Sequence, residues 1–369
     1  MPAFSRAKFI MQKIAVIGTT SWGVTLATLM CNKGHEVRLL ARTQREAAKI
    51  IKKGSDRFPD VKLPQSLIIT SKLDEAMDDV AAVILPVPSS TMRHNISTIA
   101  TKLTRSTIII SASKGLEIGS NKRMSEVIAE EINPRYAGNI CALSGPQLAR
   151  EIIHGRPAAS VVAATDKSTA NKAQKILSCA NLCVFTNTDI IGVELGGSLK
   201  NILALGAGIA DGLDLGDNAK AAFMTRGLTE ITALGMALGG NPLTFSGLAG
   251  LGDVITTCAS PLSRNHFVGV ELAKGRPLAE ILEAMNEVAE GVNTTLVAHN
   301  IAQQLGLEMP ITEQIYKVLY ENADCRKSAY TLMGGTTGHE LAGRRWRLFS
   351  LFRHQQRQTE ENEAGKGKL

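Results

Sequence analysis

Aromatic side chains are scarce. Two Trp, four Tyr and nine Phe make up 4% of the 369 residues, too few for a nucleic-acid surface built on base stacking. Cysteines are few and scattered: Cys31, Cys141, Cys179, Cys183, Cys258 and Cys325. Only Cys179 and Cys183 lie close together, with no histidine near them, so the set reads as buried free thiols and implies no metal site. Free thiols suit a reducing compartment, and the expected location is cytoplasmic. The opening "MPAFSRAKFIMQ" lacks the long apolar stretch of a secretion signal, and Met11 offers an alternative start. No apolar run reads as long enough to cross a bilayer.

Acidic charge is the minority. Lys and Arg number 41 against 34 Asp and Glu, a net charge of +7, which favours anionic partners such as nucleotides and phosphorylated metabolites. More than half of that excess sits after residue 343, where seven Lys or Arg face three Glu. The remainder is globular in composition, 44% hydrophobic and 20% charged, and the length suggests two domains.

The first half alternates apolar, β-rich runs with amphipathic helical stretches. The runs are "KIAVIG" (13–18), "HEVRLLA" (35–41), "VAAVILPV" (80–87), "STIIISAS" (106–113), "NICALSG" (139–145), "ASVVAAT" (159–165) and "LCVFTN" (182–187). This alternation predicts an α/β Rossmann-like domain, a parallel sheet covered on both faces, over residues 11–188. Beyond it the β-branched runs give way to Ala, Leu and Gly at helical spacing. "VELGGSLKNILALGAGIADGL" and "AKAAFMTRGLTEITALGMALGG" read as long buried helices of an all-α domain over 189–340. Residues 341–369 form a basic tail whose "RRWRLFSLFR" is either a solubilising segment or a short amphipathic helix for an anionic membrane surface.

The first strand runs into "GTTSWGVTLA" (18–27). A dinucleotide turn there carries G-x-G-x-x-G/A. Gly18 and Gly23 supply the first and third positions, but Thr20 stands at the second, where a bare backbone would approach the pyrophosphate. The helix start at Ser21, Trp22 and Gly23 can bind an anion. After the second strand, Ala41 takes the place of the acid that would hold a ribose 2′-hydroxyl, and Arg42 follows, which favours NADP(H) with NAD(H) possible.

Four further stretches carry candidate chemistry. "SASKGLEIG" puts Lys114 at the carboxyl end of a strand, where ligands of open α/β sheets bind, and "LSGPQLAREI" does the same with Gly145 and Pro146. Lys200 lies inside an apolar helix; a buried lysine can act as an acid or base near neutral pH, and Gly196 and Gly197 on the same face would leave room beside its ammonium. In "GLAGLGDVITTCASPLSRNHFVG", Asp253 sits in an apolar setting that demands a partner, and Ser263, Arg264 and Asn265 open a helix suited to a phosphate dianion. Ser263 also fits a plain helix cap.

Together "GxxxWGxxLA", "SxSKGLE", "LSGPxxAxEI", "VELxGxLKNxxA", "GLAGLGD", "SRNxxxG" and "EGxxT" occur in order over residues 12–333. The set resembles the soluble, bacterial-type NAD(P)-dependent glycerol-3-phosphate dehydrogenases. The resemblance implies a homodimer that interconverts dihydroxyacetone phosphate and sn-glycerol 3-phosphate for phospholipid synthesis. It implies Lys200 as the catalytic acid/base, with Lys114, Gly145, Gln147, Lys200, Asp253, Ser263, Arg264 and Asn265 at the substrate. For the cofactor it implies Gly18, Ser21, Trp22, Gly23, Arg42, Lys114, Ala149, Arg264, Val288 and Glu290. Rival readings are another β-hydroxyacid-type dehydrogenase, or a non-catalytic NADP(H) sensor that would have no use for Lys200, Asp253 and Arg264 together. Thr20 and the extension beyond about residue 340 depart from the family pattern.

Overall fold

The computed structural model describes residues 10–285 and 287–333, so the tail at 341–369 lies outside the described residues. Among the described residues, those up to Ser328 group as one compact unit, and those from Ala329 onward fall outside it. Eight strands build one sheet: β1 (Lys13–Ile17), β2 (Glu36–Leu40), β3 (Ile68–Thr70), β4 (Ala82–Leu85), β5 (Ile108–Ser111), β6 (Ile140–Ser144), β7 (Ala158–Ala163) and β8 (Leu182–Asn187). Between them run α1 (Ser21–Asn32), α2 (Gln44–Lys53), α3 (Leu73–Met77), α4 (Met92–Ile99), α5 (Met124–Glu131), α6 (Ala149–Ile153) and α7 (Lys167–Leu177).

The strand order is β3-β2-β1-β4-β5-β6-β7-β8. It is doubly wound, with the direction of winding reversing between β1 and β4, and such a reversal opens a crevice at the strands' carboxyl ends. Both faces of the sheet are buried, as consecutive apolar runs require. Ile14, Val16, Leu39, Ile84, Ile110 and Leu143 pack on one side. Their strand neighbours Ala15, Ile17, Val83, Leu85, Ile109 and Ala142 pack on the other.

Two details differ from the sequence reading. β3 is an additional strand, only three residues long and paired to β2 alone, too brief to leave a periodic signal. β7 runs antiparallel to β6, with Leu143 opposite Val162. The connection between them holds a helix of only five residues, α6, too short to carry the chain back along the sheet for a parallel crossover.

The second half is helical: α8 (Ile190–Gly212), α9 (Gly216–Ala237), α10 (Pro242–Phe245), α11 (Asp253–Ala259), α12 (Arg264–Ala273), α13 (Leu278–Glu283), α14 (Glu290–Leu305), α15 (Pro310–Tyr320) and α16 (Cys325–Met333). α8 is the axis on which α9, α11, α12 and α14 pack. By length and composition alone α8 could cross a membrane, which corrects the reading that no run is long enough, but 94% of its apolar window is buried inside the protein. α9, expected to be buried, is covered on one side only, through Gly227, Glu230, Ile231, Leu234 and Gly235. Its exposed turns carry Asp217, Thr225 and Arg226. All six cysteines are free, but Cys179 is half-buried, and Cys183 is exposed because it lies on β8, an edge strand that alternates its burial.

One buried carboxylate ties α8 to the sheet's helices. Glu194 accepts from Ser125 N (2.7 Å), Ser125 Oγ (2.5 Å) and Arg123 Nη1 (2.7 Å) around the start of α5. Burial pushes its carboxyl above the usual range, and the Arg123 and Ser125 contacts only partly offset this.

Candidate active site

The β1–α1 turn explains itself residue by residue. Gly18 has a φ of 101°, open to glycine at little cost. A Cβ on Gly23 would fall 2.3 Å from the Gly18 carbonyl. Thr20 needs no such freedom: its backbone is extended (φ −62°, ψ 164°). Its hydroxyl caps α1, accepting from Gly23 N at 3.0 Å, and donates to the Pro86 carbonyl at 2.7 Å beyond β4. The threonine thus pins the two strands that flank the crevice. Thr20→Gly is expected to lower unfolding free energy by about 1 kcal/mol, from the lost hydrogen bonds. Chemical denaturation checks this, and dinucleotide affinity by calorimetry should not change.

Lysine and aspartate meet where β5, β6 and α8 converge. Lys114, just past β5, donates from Nζ to the Gly145 carbonyl (2.7 Å) and to Asp253 Oδ2 (2.7 Å). Lys200 Nζ lies 3.1 Å from Asp253 Oδ1 and 2.5 Å from Thr257 Oγ1. Asp253 is 1% exposed and Lys200 6%, so each charge relies on the other, as buried charges must. Burial pushes the Lys114 ammonium down to about 8; Asp253 opposes that shift and the charge of Lys200 adds to it. The glycines on α8 serve packing more than space beside the ammonium. A Cβ on Gly196 would meet the Ala249 carbonyl at 2.6 Å, and one on Gly197 would meet Ser144 Oγ at 2.2 Å.

α12 opens beside this cluster. Ser263 caps it, accepting from His266 N at 3.2 Å. Asn265 donates to Asn201 Oδ1 (2.8 Å) and accepts from Gly291 N (2.9 Å), while Asn201 reaches the Lys114 carbonyl at 3.4 Å. Arg264, half-exposed, donates to the Val288 carbonyl (2.9 Å) and lies 3.3 Å from Glu287 Oε2. Glu287 also accepts from Ser21 Oγ at 2.5 Å. Glu290, at the start of α14, accepts from Ser89 N (2.8 Å) and Ser89 Oγ (2.5 Å); burial raises its carboxyl above the usual range.

The other sequence candidates sit around the rim. Gln147 donates to Ser160 Oγ at 2.9 Å, and Ala149 begins α6, which packs on α1. Arg42 stands apart from the lysines at the outer end of β2, with a side chain 85% exposed. Thr257, Asn201, Ser89 and Glu287 were not singled out from the sequence. Thr257 had a signal, four residues beyond Asp253 on one helix face; Glu287 and Ser89 meet their partners only through the fold.

The chain matches the family models described as NAD-dependent glycerol-3-phosphate dehydrogenase N-terminus over residues 13–170 and C-terminus over residues 189–330. It is 58% identical to "Glycerol-3-phosphate dehydrogenase [NAD(P)+]" of Dehalococcoides mccartyi, over 95% of this chain and 99% of the relative. The chain belongs to the NAD-dependent glycerol-3-phosphate dehydrogenase family. A Geobacter relative of the same name is 44% identical over 87% of this chain and 97% of its own. A crystal structure of glycerol-3-phosphate dehydrogenase from Coxiella burnetii superimposes with a TM-score of 0.83 at 34% identity, over 88% of this chain and 99% of that one.

The residues present fit the nicotinamide dinucleotide this family uses. The Gly18–Gly23 turn and the N-terminus of α1 form an anion cradle. Around the crevice, Trp22 Nε1, Ser144 Oγ and Gln147 Oε1 are buried with no partner among the described residues, and buried polar atoms of this kind call for a ligand or water.

Proposed function

We propose that this chain reduces dihydroxyacetone phosphate to sn-glycerol 3-phosphate, and runs the reverse reaction, with NADPH favoured over NADH. The observation that carries the reading is the buried Asp253 held between Lys114 and Lys200 at the carboxyl ends of β5 and β6. Residues 11–188 bind the nucleotide, and 189–340 supply the acid/base and the substrate groups. The working form is a homodimer in the cytoplasm, feeding phospholipid synthesis.

A bound NAD(P)H would supply the hydride, and reduction of the ketone at C2 would place negative charge on its carbonyl oxygen. The Lys200 ammonium stabilises that oxygen and gives it a proton. Asp253 and Thr257 aim the Lys200 Nζ, while Lys114 fixes the other carboxylate oxygen and the Gly145 carbonyl. Gln147 lines the pocket at the end of β6. Ser263, Arg264 and Asn265, with the first amides of α12, grip the phosphate and so position C2. Ala41 and Arg42 at the end of β2 supply the NADPH preference, since an arginine without a neighbouring strand-end acid suits a 2′-phosphate.

The test is loss of NADPH and NADH absorbance with purified protein and dihydroxyacetone phosphate. Turnover with both, faster with NADPH, is expected; silence with both from folded protein would overturn the reading. Arg264→Ala should raise KM for the ketone phosphate about tenfold to a hundredfold, the scale of a lost charge-assisted bond. An unchanged KM would remove Arg264 from the phosphate site. Light scattering checks the dimer.

A further inference from the structure

We propose that Glu46 is a specificity-determining residue that admits NADH and holds the NADPH preference in check. The inference deepens the cofactor reading above and rests on it. Sequence reasoning found no acid at the end of β2, because Ala41 occupies that place. The fold brings one in from the first turn of α2. Glu46 Oε1 accepts from Thr19 Oγ1 at 2.5 Å, inside the β1–α1 turn, and Glu46 Oε2 accepts from the Arg42 backbone N–H at 3.0 Å. The carboxylate therefore bridges the glycine-rich turn and the end of β2, the strand end where the adenosine ribose of a doubly wound fold is held.

Its geometry is not that of an ordinary helix cap. Thr43 caps α2 by accepting from Glu46 N at 3.1 Å. A reciprocating glutamate would turn back to the Thr43 amide, whereas Glu46 reaches past it to Arg42 and Thr19. Each of its oxygens has accepted one hydrogen bond and keeps capacity for another, so a ribose 2′-hydroxyl finds an acceptor. A 2′-phosphate would bring like charge against the same carboxylate. The Arg42 guanidinium, with Nε 3.8 Å from Glu46 Oε2, is the counterweight that attracts that phosphate. One carboxylate and one guanidinium at the same mouth give a site that takes both cofactors.

Calorimetric titration of the full chain with NADPH, NADH, 2′-AMP and 5′-AMP tests this without catalysis. Glu46→Gln keeps the size and the hydrogen-bonding reach. It is expected to tighten NADPH and 2′-AMP by about fivefold, the scale of a partly exposed charge pair, and to leave NADH and 5′-AMP unchanged or weaker. Thr43→Ala, which removes the cap alone, should shift NADPH and NADH together or not at all. Unaltered NADPH-to-NADH and 2′-AMP-to-5′-AMP ratios in Glu46→Gln would overturn the inference while sparing the dehydrogenase reading. Failure of the unaltered chain to bind either dinucleotide would bring down both.

Discussion

Lys200→Ala is expected to lower kcat by about three orders of magnitude, the combined scale of a lost proton donor and lost oxyanion stabilisation. KM for dihydroxyacetone phosphate should change far less, because the proposed phosphate grip is Ser263, Arg264 and Asn265 at the start of α12. Folding should survive, since Asp253 keeps its 2.7 Å partner Lys114. Lys200→Arg separates the two roles: it retains the positive charge but holds its proton too tightly to donate. Partial recovery would assign the remainder of the loss to proton transfer. Steady-state kinetics on both variants decides, and near-normal turnover by Lys200→Ala would remove the residue from the chemistry.

Asp253→Ala is expected to do wider damage. The carboxylate is buried between two ammonium groups and also accepts from Thr257 Oγ1 at 3.1 Å. Its removal leaves two buried cations facing each other, and breaking a buried pair costs about 3–5 kcal/mol. Asp253 now opposes the downward shift of the Lys114 ammonium; without it, Lys114 moves further down from about 8 and loses its proton more readily. Thermal unfolding should show a large drop in Tm, larger below about pH 8, where the buried Lys114 must carry its charge, than above it. Activity should fall with it. Asp253→Asn, which keeps the shape and the bond from Thr257, should recover part of the stability and little of the turnover, because a neutral amide does not hold two cations. Stability equal to the unaltered protein in Asp253→Ala would show that the lysines find other partners.

Much of the fold was legible because apolar runs bounded by turns have few other uses. β1, β2, β4, β5 and β6 each lie within the runs read from the sequence. β3 escaped because three residues carry no period, and the direction of β7 escaped because it depends on a connection rather than on the strand. At the site, residues in unfavourable settings announced themselves: Lys200 in an apolar helix and Asp253 among glycines both implied partners. What stayed hidden were charges with innocent local explanations. Glu46 in a helix's first turn and Glu287 in a loop carry no local signal, and only tertiary structure sets Glu46 against Thr19 and Glu287 against Ser21. Thr20 read as a defect in the turn because spacing cannot show a hydroxyl turned inward to Pro86.

Glu194 and Lys200 lie six residues apart on α8, about 9 Å of axial rise, and Glu194 is bolted to the start of α5. The helix that carries the proposed proton donor is thereby tied to α5 of the first domain, while Asp253 and Thr257 of α11 hold the ammonium itself. The proposed phosphate grip lies at the start of α12, a different helix packed on α8. Aim and grip meet at Asn265, which donates to Asn201, the residue after Lys200 on α8. A substitution at Arg264, which faces Val288 and Glu287, can therefore alter the proposed phosphate grip without touching α8, whereas one at Asn265 disturbs grip and lysine together.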